Sequence, residues 1–532
     1  MRNTLANLIK KAIKLLQKER IFPKFEVSEI KIEHSKEKDH GDYSTNVAME
    51  IAKNTKKRPM EIAENLKSQI SNLKSNFFEK IEVAEPGFIN FFLSKEFLQT
   101  QIKEILKKGK EFGKLNIGKN KKVNVEFISA NPTGPLTLGN GRGGFYGDTL
   151  ANVLEKAGYK VKREYYINDV GTQIRKLGHS VIGDSQALYK GKYIEELRKR
   201  IKGKDPDEVG QKAAKIILKE MIKPSVKRMG IKFDKWFSEK SLYEKGEVDK
   251  ILNWLKKKKL AYEKEGALWF KAAKFGDDKD RVLVRQNGQK TYFASDIAYL
   301  KNKFQRGFNF LIFLWGADHA GYVKRMEAAV EALGYKKEQV RFIIMQLVKL
   351  FEKGKEVRMS KRTGSFVTLD ELIEEVGLDV ARFFFLQRSP GSHLNFDLDL
   401  AKVRGEKNPV YYVQYAHARI CSILKNLKSQ NLKLKTATQN LNLLNHPSEL
   451  ELIKQLIKFP EVVEDIARDY QVQRLPQYTL DLARQFHDFY EKCRVISPDK
   501  NLTQSRLALI LATKIVLKNT LDLMGISAPE RM

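Results

Sequence analysis

Apolar residues recur at helical spacing from the start of the chain: Leu5, Leu8, Ile9, Ala12, Leu15 and Leu16 form one stripe. A turn-rich stretch, His40-Gly-Asp-Tyr-Ser-Thr-Asn46, leads into a second helix beginning near Val47. Ile81 to Ala84 and Phe88 to Leu93 read as strands divided by the turn signal Pro86-Gly87. The run from Lys107 to Lys122 is basic, glycine-dotted and aperiodic, which predicts a linker and a boundary near residue 107. Residues 1–106 are therefore expected to form a small α+β unit.

From Val123 to about Leu386 the pattern changes to strand, loop, helix. Val123-Asn-Val-Glu-Phe-Ile128 reads as a strand, and Tyr146 to Ala157 as an amphipathic helix closed by Gly158. Phe308 to Trp315 is a nearly continuous apolar run, as a central strand of a parallel sheet requires, and Phe342-Ile-Ile-Met345 reads the same way. Such alternation predicts a doubly wound, Rossmann-like parallel sheet, whose ligands lie beyond the carboxyl ends of its strands. Residues 107–395 are assigned to it, with a charged helical insertion at about 180–275. After about residue 396 only helical periodicity remains, broken at Pro460 and Pro476, so residues 396–532 predict an all-α bundle. The fold class is multidomain α/β, a parallel-sheet domain flanked by an α+β and an all-α domain.

Composition adds partners to this picture. The 532 residues are 42% hydrophobic and 31% charged, enough for several cores. Lys plus Arg number 98 against 65 Asp plus Glu, a net charge of +33 spread along the whole chain. That field favours polyanions, nucleic acid ahead of an anionic membrane, although a solvated lysine-rich surface gives the same count. The two cysteines, Cys421 and Cys493, lie far apart and form no CxxC pair, which speaks against a zinc site or a disulfide framework. No apolar stretch is long enough for a bilayer, and Met1 to Lys18 has no signal-peptide core, so a cytoplasmic protein is expected.

The densest chemistry lies in Ser129-Ala-Asn-Pro-Thr-Gly-Pro-Leu-Thr-Leu-Gly-Asn-Gly-Arg-Gly-Gly144, which follows a strand and opens a helix. Gly139, Gly141, Gly143 and Gly144 allow close backbone approach where helix N–H groups point at negative charge, and Arg142 adds a cation. A tight turn binding nothing has the same local look. The second stretch, Glu356-Val-Arg-Met-Ser-Lys-Arg-Thr-Gly364, reads alone as a basic surface loop.

Together, and in this order, the two stretches resemble the paired signatures of class I aminoacyl-tRNA synthetases, in the arginyl-tRNA synthetase version. Thr137 and Asn140 stand where the family's first signature has histidines, and Arg358 replaces the first lysine of the second. A hydroxyl and a carboxamide still donate hydrogen bonds but cannot become cationic. The resemblance implies catalytic roles for Thr137, Gly139, Asn140, Arg142 and Lys361. It implies ATP contacts from Pro132, Gly134, Gly139, Asn140, Gly316, Asp318, His319, Met359, Ser360 and Lys361.

Recognition of a guanidinium calls for fixed carboxylates, because its planar fork of donors is met best by bidentate acceptors. The resemblance assigns arginine binding to Glu126, Ser129, Asn131, Tyr292, Asp296 and His319. Asp296 also reads as a helix cap before Ile297, and Asp318 as the cap of the helix that follows it. In the bundle, Tyr411, Gln414, Tyr415 and Arg419, with the terminal Met532, resemble the anticodon-binding surface, though Tyr411 to Ile420 also reads as two buried helix faces.

The implied activity is ligation of L-arginine to the 3′ end of tRNA(Arg) through arginyl-adenylate, with ATP and Mg²⁺ as substrate and no structural metal. A monomer is expected. The alternative is a tRNA-binding relative that has lost catalysis, suggested by Thr137 and Asn140.

Overall fold

The computed structural model describes residues 1–27, 29–35, 37–73, 76–357, 367–428 and 440–532. Its centre is a five-stranded, wholly parallel sheet: β1 (Lys122–Glu126), β2 (Lys160–Ile167), β3 (Lys235–Ser238), β4 (Phe310–Gly316) and β5 (Val340–Met345), in the order β5-β4-β1-β2-β3. Val123 and Val125 of β1 and Leu311 to Leu314 of β4 are buried, as strands covered on both faces must be. The strand order reverses where β1 meets β4, the switch point at which such sheets open a ligand crevice.

The helix that follows β1, α1 (Leu138–Lys156), runs along the core with fourteen buried residues. Helix α2 (Tyr292–Gln305) feeds into β4. The segment expected to be a helical insertion is not purely helical. It supplies β3, the edge strand of the central sheet, and the antiparallel strands Ala261–Lys264 and Ala267–Phe270, which are joined by Arg281–Val284 just beyond it. Four residues with one exposed lysine are too short to give β3 a periodic signature.

The N-terminal unit packs helices Arg2–Lys18, Val47–Thr55 and Pro59–Asn72 against a four-stranded sheet that includes Phe78–Ala84 and Phe88–Leu93. The expected linker is partly built into the core, with Phe112 buried against Phe459. C-terminal residues form α3 (Pro409–Lys428), three further helices from Pro447 to Lys492, and α4 (Lys500–Met524). The bundle is fastened to the sheet domain. Tyr146 of α1 donates to the Tyr470 carbonyl at 2.6 Å, and the Asn152 amide donates to the Leu523 carbonyl at 3.0 Å. No helix among the described residues is long and apolar enough to cross a membrane.

Candidate active site

Two adjoining cavities open at the carboxyl ends of β1 and β4. The first, about 340 Å³, is lined by Thr137, the N-cap of α1, by Gly139, Asn140 and Gly143 of α1, by Trp315 and Gly316 at the end of β4 and Asp318 after it, and by Gln346, Leu347 and Val367. Here the N-terminus of a 19-residue helix faces the cavity with the N–H groups of its first turn and the positive end of its dipole, an arrangement suited to phosphate. The Asn140 carboxamide oxygen accepts from the Thr137 N–H at 3.0 Å and from its hydroxyl at 2.9 Å. That leaves the Asn140 NH₂ as its free donor group. The two residues that replace the usual imidazoles thus form one hydrogen-bonded unit.

The glycines divide into two kinds. Gly139 and Gly143 line the cavity, and a Cβ on Gly143 would meet nothing within 4 Å. Gly141 and Gly144 serve packing instead, because a Cβ there would lie 2.5 Å from Leu369 and 2.4 Å from Met229. The Leu369 contact matters for the second signature. Thr368 bridges Thr137, and the Leu369 N–H donates to the Leu136 carbonyl at 3.0 Å. The chain just after the second signature is thereby pinned to the first. Met359, Ser360, Lys361 and the rest of 358–366 lie outside the described residues.

Arg142 requires correction. Its guanidinium is not at the phosphate end of the crevice but fully buried, donating to the carbonyls of Gln346 (2.7 Å), Ser389 (2.8 Å) and Ser392 (2.8 Å). Burial lowers its pKa to about 10, still cationic near neutrality. Its place is structural, since it holds the Gln346 to Val348 edge of the cavity. Arg142→Ala is expected to strand three carbonyls and cost on the order of 3 kcal/mol of stability. A urea midpoint equal to the parent's would refute this. Pro132 and Gly134 line neither cavity: both are buried, and Gly134 sits beneath Tyr193, whose hydroxyl would be 3.0 Å from a Cβ.

The second cavity, about 610 Å³, lies beside the first and shares Asn140, Trp315, Gly316 and Asp318 with it. Its walls include Glu126, Ser129, Asn131, Tyr166, Glu239, Tyr292, Asp296, His319 and Tyr322. The loop after β1 turns through left-handed backbone at Ile128 (φ 65°) and Ser129 (φ 38°), a conformation costly for a β-branched residue and typical of strain held at a site. Neighbours hold it there. The Ser129 hydroxyl accepts from the Tyr166 N–H at 3.1 Å, Tyr165 donates to the Ala130 carbonyl at 2.9 Å, and Asn168 donates to Asn131 at 2.7 Å.

Asp296 lies inside α2, whose N-cap is Thr291, so the helix-cap reading fails. Its carboxylate accepts from the Tyr322 hydroxyl at 2.5 Å. Burial pushes its pKa up to about 7, with Glu126 adding to the shift and Tyr322 and Arg325 opposing it. Tyr292 is half exposed, and its hydroxyl accepts from the Thr172 N–H at 3.1 Å. Asp318 and His319 are exposed at the mouth, 3.6 Å apart; Asp318 lies in the 3₁₀ turn before the next helix and does not cap it.

Sequence reasoning missed two groups. Glu239 is 1% exposed at the end of β3; one carboxylate oxygen accepts from Ser295 at 2.9 Å and the other has no partner. Burial and then the neighbouring Asp296 raise its pKa to about 8. No local motif marks Glu239, and only the strand before it could have placed it. The other is a buried ion network behind Glu126. Lys303 reaches Glu126 at 2.7 Å and Glu164 at 3.6 Å, while Arg306 grips Glu164 at 2.6 and 2.8 Å. Although burial opposes it, Lys303 and Arg306 hold the Glu164 pKa down at about 2. Asp296, Tyr299, Lys303 and Arg306 recur at steps of three or four, so this polar helix face was readable in the sequence.

In the bundle, Tyr411 and Tyr415 stack at 6.3 Å, and exposed Arg419 lies over Tyr415 and Tyr490. Gln414 is not free, since its amide donates to Asp379 at 2.8 Å and to the Ser527 carbonyl at 3.0 Å. Met532 is exposed.

A parallel sheet with a helix-dipole cavity at its switch point, an acidic cavity beside it and a helical bundle docked behind is the arrangement of a class I aminoacyl-tRNA synthetase. Comparison with known families narrows the class. Residues 101–387 match the family described as tRNA synthetases class I (R), catalytic domain; residues 3–93 match the arginyl tRNA synthetase N terminal domain, and 413–532 the DALR anticodon binding domain. The arginine–tRNA ligase of Caldanaerobacter subterraneus subsp. tengcongensis is 47% identical, over 99% of this chain and 98% of its own. That of Carboxydothermus hydrogenoformans is 47% identical over 94% of each. The fold is shared with the Thermus thermophilus arginyl-tRNA synthetase, at a TM-score of 0.81 and 24% identity over the full length of both chains. The chain belongs to the arginyl-tRNA synthetase family.

Proposed function

We infer that the protein is an arginine–tRNA ligase working at these two cavities. The observation that carries the reading is the acidic cavity: Asp296 and Glu239 face it without a cation of their own, and it opens directly onto the cavity at the helix N-terminus. Asp296 takes the guanidinium, with Glu126 beside it and Tyr292 along the side-chain channel. Asn131 and Ser129 hold the α-amino end, and His319 stands at the mouth. ATP, as its Mg²⁺ complex, is the second substrate, with its phosphates toward Gly139, Asn140 and the N-terminus of α1. The arginine carboxylate attacks the α-phosphorus and pyrophosphate leaves; the terminal tRNA hydroxyl then attacks the adenylate carbonyl and AMP leaves. Positioned donors rather than a titrating base serve such a displacement. Thr137 and Asn140 are hydrogen-bonded together at the cavity wall, which favours a working site over a decayed one. The reading includes residues 1–106, 107–395 and 396–532 as tRNA-contacting, catalytic and anticodon-binding domains of a cytoplasmic monomer.

Lys361 is assigned to the departing pyrophosphate. Lys361→Ala is expected to slow adenylate formation while arginine affinity stays within about twofold, because a contact made only in the transition state lowers the rate constant. Unchanged single-turnover kinetics, measured with tRNA present, would reject that role.

The tRNA is held mainly through phosphates by a chain of net charge +33. Its affinity is expected to fall at least about tenfold between roughly 50 and 200 mM salt. A salt-independent dissociation constant would contradict this.

A further inference from the structure

The charges around the acidic cavity do not balance, and the way they fail suggests a proton exchange. Behind the cavity, Glu126 and Glu164 are matched by Lys303 and Arg306, two negative against two positive charges. Asp296 and Glu239 remain. Among the described residues neither has a lysine or arginine within ion-pair distance. The Arg325 guanidinium instead lies 4.6 Å over the Tyr322 ring. Among the described residues, the side-chain donors to the pair are the Tyr322 hydroxyl for Asp296 and the Ser295 hydroxyl for Glu239. The second Glu239 oxygen and the Tyr166 hydroxyl are both buried and unpartnered, on residues of the same cavity wall. Two buried carboxylates left ionised without a cation would be strongly unfavourable, and one incoming guanidinium supplies a single positive charge.

We propose that protons neutralise the empty guanidinium pocket, that arginine expels one of them from Asp296, and that Glu239 keeps its own while arginine is bound. The proposal rests on the arginine-ligase reading and deepens it. Most groups facing the pair are acidic or phenolic and favour its protons, with Tyr322 and Arg325 opposing at Asp296. Asp296 faces Glu126 from β1, with Tyr322 and Arg325 beyond β4; Glu239 faces Asp296, Asp169, Tyr166 and Tyr243. Burial raises both pKa values; the Tyr322 hydroxyl donates to Asp296 and supports its ionised form, whereas one Glu239 oxygen is buried without a partner, so the proton leaves Asp296 first. A protonated Glu239 can donate a hydrogen bond, while its carbonyl oxygen still accepts one from the guanidinium.

The sign follows from linkage. The empty site binds more protons than the complex, so arginine affinity rises with pH through the Asp296 pKa and levels off above it. Titration calorimetry of the full-length protein with L-arginine, in MES and in Bis-Tris at equal pH, reads the exchange directly, because both buffers accept protons near pH 6 with different heats. Close to one proton is expected to leave per arginine at about pH 6, with the dissociation constant falling about five- to tenfold by pH 7. Glu239→Gln, which mimics the protonated acid, is expected to bind arginine within about tenfold of the parent and still release the proton. Heats independent of buffer with a flat pH profile would overturn the proposal. A loss beyond about a hundredfold in Glu239→Gln would overturn the retained proton, since Glu239 would then be an ionised partner. A parent protein that binds no arginine at any pH would instead count against the arginine reading itself.

Discussion

Asp296→Asn is expected to lower kcat/KM for arginine by more than about a hundredfold. An asparagine keeps the shape of Asp296 and one acceptor oxygen but cannot supply negative charge. Glu126 cannot replace it, because its charge is already matched within the Lys303 network. Leaving a buried guanidinium without its anion costs about 3–5 kcal/mol, and each 1.4 kcal/mol is a factor of ten. The loss is not one of folding. An acid whose pKa is raised in the folded state binds more protons folded than unfolded, so it lowers stability as pH rises from about 4 to about 7. Asparagine removes that penalty, and the ligand-free variant is expected to be at least as stable as the parent near pH 8. Steady-state charging and a urea melt check the two halves separately. Near-parental turnover with arginine would sink the assignment of Asp296.

The double substitution Thr137→Ala, Asn140→Ala is expected to reduce adenylate formation by about 10²–10³, the usual effect of removing an oriented transition-state donor. The two side chains act together. The Thr137 hydroxyl and N–H both donate to the Asn140 oxygen, which fixes the carboxamide with its NH₂ available at the cavity. Each single variant therefore also disturbs the partner, and their effects should not add. If helix N–H groups alone hold the phosphates, the double variant will form adenylate at the parental rate. Single-turnover rates at saturating ATP and arginine, with tRNA present, decide between these outcomes.

The parts of this fold legible in the sequence were those with long or chemically dense signals. The apolar run before Trp315 gave a central strand, and the turn from Ser129 to Gly144 announced a helix N-terminus at the crevice. The strand Lys235–Ser238 was hidden because four residues carry almost no periodicity, and Glu239 was hidden with it. Arg142 misled for a different reason. A cation within a glycine turn reads as a phosphate ligand, yet helical geometry turns this one away from the crevice, toward the carbonyls of Gln346, Ser389 and Ser392. Gly141 and Gly144 answer to Leu369 and Met229, contacts distant in sequence that no local pattern encodes. Gln414 was similarly drawn into the fold by Asp379 and Ser527.

The central claim is that one amino acid, chosen by its guanidinium, is joined to tRNA. The most direct test is an aminoacylation assay of the purified full-length protein with total tRNA, ATP, Mg²⁺ and each of the standard amino acids in turn. The account predicts that arginine alone becomes attached to the tRNA. Charging with a different amino acid, or tRNA binding with no charging by arginine, would contradict it.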